Sequence, residues 1–104
     1  MNVPGFGETV IVLRTRHHAL TALTASGYPT LVAIDGVTSK LPWGEHMFQV
    51  SPGLHDVSVS LGSILGVQMG QASIEIEVAK GHSAHLEYRA PFNYLMEGNI
   101  KFIR

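Results

Sequence analysis

The chain has 104 residues, 45% of them hydrophobic and only 14% charged, with 7 basic and 8 acidic side chains, a formal net charge of −1 and no cysteine. That length fits one domain over residues 1–104. The apolar content argues against disorder, the missing cysteine excludes a disulfide scaffold or thiolate metal site, and the charge balance argues against a nucleic-acid partner. There is no basic leader followed by a long apolar run, and no apolar stretch approaches the ~20 residues of a spanning helix. The chain therefore reads as cytoplasmic, and membrane contact has no support in the sequence.

Residues 1–7 hold two Gly and one Pro and read as irregular. The first strand is expected at residues 8–15 (ETVIVLRT), where the continuous apolar run Val10–Leu13 suggests burial on both faces or a central place in a sheet. Residues 17–28 are Thr- and Ala-rich and read as irregular. Residues 30–34 and 37–41 are strands joined by Asp35-Gly36, a hairpin turn in which Gly accepts positive φ. Residues 46–50 and 55–61 flank Ser51-Pro52-Gly53-Leu54. They are expected to form a second hairpin, with Phe48 opposite Val57 and His46 opposite Val59. That register places His46, Phe48, Val50, His55, Val57 and Val59 on one face and Met47, Gln49, Asp56, Ser58 and Ser60 on the other. A third hairpin is expected for residues 72–79 and 83–89 around Lys80-Gly81-His82. It directs Ile74, Ile76, Val78, Ala84, Leu86 and Tyr88 inward and aligns Glu75 with Glu87 and Glu77 with His85 on the outside. Residues 98–103 add a last strand. About seven strands at this spacing predict an all-β domain, an antiparallel β-sandwich, with a small curled barrel as the alternative.

The order Val32-Ala33-Ile34-Asp35-Gly36, then Leu41-Pro42-Trp43-Gly44, then Val50-Ser51-Pro52-Gly53-Leu54-His55-Asp56-Val57 resembles PEGA-type and carboxypeptidase-regulatory-like β-sandwich modules. In these a strand-DG-strand unit precedes a G-x-H-x-V segment. Tyr88-Arg89-Ala90-Pro91 with Gly98-Asn99-Ile100 is similar to small actinobacterial domains of the same build. The resemblance covers residues 30–100 and implies a β-sandwich that binds, spaces or assembles, with no catalytic residues to carry over.

The residues themselves point the same way. Six histidines invite a metal reading, but none has the two-residue spacing that would put a pair on one strand face, and no H-E-x-x-H occurs. The best polar constellation is Glu75, Glu77, His85 and Glu87, weak candidates for metal ligation or acid–base work. Like charges opposite one another need a compensator, Arg89 among the options. No G-x-S-x-G elbow or P-loop is present, and no cofactor is expected.

Residues 57–73 contain no Asp, Glu, Lys or Arg. Within them Gly62, Gly66 and Gly70 suggest a flexible or bulged connection, and Leu61, Ile64, Leu65, Val67 and Met69 are candidate contact residues. Phe92, Tyr94 and Leu95 are further candidates. Sheet edges offer a second route to association. The expected function is a non-enzymatic interaction module that self-associates or binds a protein partner; a small-ligand or metal-binding β domain is the alternative, ranked ahead of a membrane-peripheral module or an enzyme.

Overall fold

A computed structural model of the chain describes residues 9–16, 29–62, 69–91 and 97–103. The described residues form eight strands: β1 (Val10–Arg16), β2 (Thr30–Ile34), β3 (Val37–Leu41), β4 (Gly44–Gln49), β5 (Gly53–Leu61), β6 (Met69–Val78), β7 (Ser83–Arg89) and β8 (Asn99–Phe102). They form two four-stranded sheets, ordered β4-β1-β7-β8 and β3-β2-β5-β6. The sheets face each other over one apolar cluster and do not close into a barrel. Ile11, Leu13, Ala84, Leu86 and Tyr88 enter the cluster from one sheet, and Val32, Val57, Val59, Ile76 and Val78 from the other. The β-sandwich is thus the architecture, and the barrel alternative is discarded.

The apolar run at the start of β1 explains the first sheet. Val10, Ile11, Val12 and Leu13 are all buried, as befits a strand with neighbours on both sides. β1 pairs antiparallel with β4 and parallel with β7. Its entry is fixed by main-chain bonds at both flanks: Val50 N–H donates to Thr9 O at 2.9 Å, and Val10 N–H donates to His82 O at 3.2 Å.

This insertion overturns two expected hairpins. Phe48 lies opposite Ile11, not Val57, and Val57 lies between Ile34 and Ile74. Likewise β6 pairs with β5, whereas β7 pairs with β1 and β8. The turns at residues 50–52 and 79–82 are therefore arches that carry the chain from one sheet to the other. The inward and outward residue sets survive, because period-2 alternation is the same whether two inner faces lie side by side or across a core. The Asp35-Gly36 hairpin is present as expected, with φ of 52° and 84° and Ile34 opposite Val37.

One side of the sandwich is sealed by Tyr88, which is fully buried. Its hydroxyl leaves the β7 sheet and donates to Gly70 O on β6 at 2.6 Å. Burial raises the phenol pKa above its usual value of 10, because the charged form would lose its hydration. Gly70 has φ +58° and sits at an irregularity where three steps of β6 span two steps of β5, a bulge of the kind glycine permits. The bulged reading of this connection therefore holds at Gly70, while Gly66 is outside the described residues. Gly98 closes the seam by donating its N–H to Gln71 O at 3.0 Å. A Cβ there would lie 2.6 Å from Gly70 O and 2.7 Å from the Tyr88 ring. We expect Gly98→Ala to destabilise the fold by about 1–3 kcal/mol through this overpacking. Tyr88→Phe, which removes the donor from a buried carbonyl, should cost a similar ~1–3 kcal/mol. Lowered urea midpoints at unchanged m-value would register both.

Candidate functional site

Polar side chains gather at two places, a junction of turns and the outer face of the β1–β7–β8 sheet. At the first, His55 opens β5 facing inward and is buried, as its place on the apolar face predicts. Its Nδ1–H donates to Asp35 Oδ2 at 2.6 Å and its Nε2–H to Ser51 O at 2.5 Å. Asp35 Oδ1 accepts the Asp56 N–H at 2.9 Å. One imidazolium thus ties the β2–β3 turn to the β4–β5 arch. With acceptors on both nitrogens, the doubly protonated ring is favoured, and its bonds to Asp35 and Ser51 hold its pKa above the usual 6.5. The bonds from His55 and Asp56 lower that of Asp35 from 3.8. Serine, histidine and aspartate meet here, yet Nε2 faces the Ser51 main-chain carbonyl rather than its hydroxyl. A ring that donates from both nitrogens has no lone pair to take a proton, so the arrangement is suited to holding turns together.

On the outer face of the other sheet, Glu87 lies opposite Arg14 on one side and Lys101 on the other. Its side chain is only 8% exposed, with Arg89 at 3.2 Å, Arg16 at 3.4 Å and Lys101 at 3.7 Å. Burial alone would raise the carboxyl pKa, but the bonds from Arg16 and Arg89 and the charges of Arg89 and Lys101 outweigh it and lower the value. Arg14 pairs with Glu45 at 3.1 Å. Four of the chain's seven cations therefore stand around two carboxylates on this face. Lys101 makes the cluster part of the attachment of β8.

The expected Glu75, Glu77, His85 and Glu87 constellation is not assembled. Glu75 and Glu77 lie on the outer face of the β5–β6 sheet, opposite Asp56 and Leu54. His85 and Glu87 lie on the outer face of the opposite sheet, across the core. His85 Nε2 instead accompanies Ser83 Oγ at 3.3 Å. Among the described residues no three His, Asp or Glu side chains converge as a metal site. A shallow groove of about 490 Å³ crosses the β2–β5–β6 face between Thr38, Ser58, Ser60 and Ser73 and ends at Glu97 and Asn99. Its lining has no aromatic ring and one ionisable side chain, so it presents mainly small hydroxyls.

Of the expected contact residues, Leu61 is fully buried and belongs to the core rather than to a surface. As the last residue of β5 it pairs with Thr30 and Met69, and its side chain faces inward. Met69 is half-buried against the same core. Ile64, Leu65, Val67, Phe92, Tyr94 and Leu95 lie outside the described residues.

Among the described residues the exposed large apolar side chains are Val37, Met47, Leu54, Phe102 and Ile103. Two of them, Phe102 and Ile103, are neighbours at the end of β8, which pairs only with β7 among the described strands, and they face opposite sides of the sheet, Phe102 lying opposite the inward Leu86. Neither was singled out by sequence, although the apolar-polar alternation of residues 100–102 marks a strand. Among the described residues no helix is long and apolar enough to cross a membrane. Comparison of the chain with protein-family models, curated proteins and solved structures returns no match.

The His55–Asp35 junction carries a pH signature of definite sign. A raised histidine pKa adds stability that is complete below 6.5 and is lost as pH rises through the folded value. A lowered Asp35 pKa adds stability present above 3.8 and lost as pH falls through the folded value. The junction is thus strongest between 3.8 and 6.5. Urea midpoints of the wild type should fall between pH 6 and 9, and Asp35→Asn, which keeps a residue tolerant of the turn, should flatten that slope. At the second cluster, Glu87→Gln should destabilise by about 1.5–3 kcal/mol, the usual size of charge-assisted bonds. An unchanged denaturation midpoint at pH 7 would contradict that role.

Proposed function

We propose that this β-sandwich is a non-enzymatic interaction module that associates with a second copy of itself through the exposed end of β8. The observation that carries the reading is the exposure of Phe102 and Ile103, 55% and 44%, at the end of a strand that pairs only with β7 among the described strands. An edge strand offers unpaired N–H and C=O groups to another chain, and exposed apolar side chains add a burial gain when that chain arrives. Edges elsewhere are commonly guarded by charge. Here the cation of β8, Lys101, is drawn to Glu87 on the neighbouring strand rather than projecting alone. The low charge content of the chain leaves little repulsion between copies. The likeness to PEGA-type modules, which bind or assemble without catalysis, agrees with this reading.

Light scattering on a sizing column tests it. The wild type should show concentration-dependent dimerisation in the micromolar to high-micromolar range. Phe102→Lys, which exchanges apolar contact for charge at an exposed site, should weaken it ~10- to 100-fold. A wild type that stays monomeric throughout, or a Phe102→Lys variant that dimerises equally well, overturns the reading.

A further inference from the structure

The outer face of the β3-β2-β5-β6 sheet holds a feature that self-association does not explain. In one row across it Thr38 lies opposite Ala33, Ala33 opposite Ser58, and Ser58 opposite Ser73. Side chains this short leave a depression in the sheet, and here the groove of about 490 Å³ begins. That volume falls within the ~300–1,000 Å³ usual for small-molecule sites. The groove runs along the strands past Ser60 to Glu97. Ser60 is only 5% exposed. Its hydroxyl bonds no described residue, yet no fully covered side-chain oxygen among the described residues lacks a partner. The Ser60 hydroxyl therefore opens into the groove that Ser60 lines, a nearly buried polar group with its hydrogen bonds still to be made. An apolar occupant would leave it unsatisfied at a cost in free energy.

The surrounding charges select the sign of the occupant. Glu97 stands at one end of the groove. Beyond the other end, two residues past Ser58 and Ser73, Asp56 lies opposite Glu75. None of these three carboxylates has a cationic partner among the described residues. Carboxylates directly opposite repel each other, and a cation brought between them relieves that repulsion. The one Lys or Arg on the four strands of this sheet is Lys40, on the edge strand β3. An anion is thus disfavoured. A metal ion is disfavoured as well, because no three His, Asp or Glu side chains converge among the described residues. Methylated ammonium groups are held by aromatic faces, and the described lining has none. What the groove offers is acceptors: hydroxyl oxygens along its floor and carboxylates at both ends. Amines that keep their N–H groups can donate to both. Glu75 and Gln71, whose carbonyl holds Gly98 beside Glu97, are four residues apart on β6. At ~3.3 Å per residue that is ~13 Å, so only a long ligand engages both ends.

We propose that this groove binds a linear polyamine of three or more nitrogens, extended along β5 and β6. One terminal ammonium lies between Asp56 and Glu75 and the other at Glu97. The inner N–H groups are donated to the hydroxyls of Ser58, Ser60 and Ser73.

Spermidine is the probe, titrated calorimetrically into the full-length protein at low ionic strength. One molecule should bind per chain. The diamine 1,4-diaminobutane, too short to reach both ends, should bind at least ~10-fold more weakly, the weight of one lost charge-assisted bond. Glu97→Gln should weaken spermidine by a similar ~10-fold. Glu45→Gln removes the same charge from the outer face of the other sheet, and should change the affinity less than ~2-fold, as a distant exposed charge is screened. Both variants are first shown to keep the wild-type circular dichroism and urea midpoint. Absence of saturable binding up to ~1 mM spermidine overturns the proposal. So does an equal loss in Glu97→Gln and Glu45→Gln, which would mark diffuse attraction rather than a site. Tighter binding of the neutral polyol sorbitol than of spermidine would assign the groove to another ligand class and overturn it too.

Discussion

The hydroxyl of Tyr88 crosses the gap between the two sheets and ends on the carbonyl of Gly70. Much of the molecule is arranged around that bond. A phenol buried this fully needs a partner for its one donor, and the partner lies on the other sheet, so the bond sets the separation of β6 and β7 at this side. The oxygen can arrive only because Gly70 bends the β6 backbone into a left-handed conformation. The chain can return beside it only because position 98 has no side chain. From Gly98 it runs directly into β8. The seam thus delivers the last strand to the outside of β7 and holds its start against β6.

The second organising fact is the insertion of β1. Its flanks take the hydrogen bonds that two local hairpins would otherwise have used, which converts both into arches. The residue faces of β4, β5, β6 and β7 were legible because burial depends only on alternation. Strand partners were not legible, because a residue directed at the core satisfies the same hydrophobic demand from either sheet. Only the Asp35-Gly36 turn fixed both geometry and partner, since its paired positive φ values match a tight two-residue hairpin.

The charges follow from this topology. Arg14 and Arg16 on β1 reach Glu45 and Glu87, which lie 31 and 71 residues away in the chain. Arg89, two residues from Glu87, was an expected compensator and does bond it, but the expected Glu75 neighbour lies on the other sheet. Glu75 still stands opposite a carboxylate, Asp56, on an exposed face where water screens the pair. The buried junction at His55 shows the complementary case. Asp35 was accounted for by its turn, and His55 by its apolar face. Nothing in the order of residues announced that one would donate to the other.

The sequence by itself determined the all-β class, most strand positions, the inward residue sets and the central place of the first strand. These are consequences of local periodicity, turn residues and apolar run length, all of which are written within a few consecutive positions. Tertiary structure alone decided which strands pair, where Glu87 finds its cations, that Leu61 is interior, and that Phe102 and Ile103 stand exposed at the end of β8. Those outcomes depend on groups far apart in the chain competing for the same hydrogen bonds and the same core volume. The low charge count with which the chain first distinguishes itself sorts accordingly. The composition gave its size, and the insertion of β1 between β4 and β7 decided where most of the positive charge would gather.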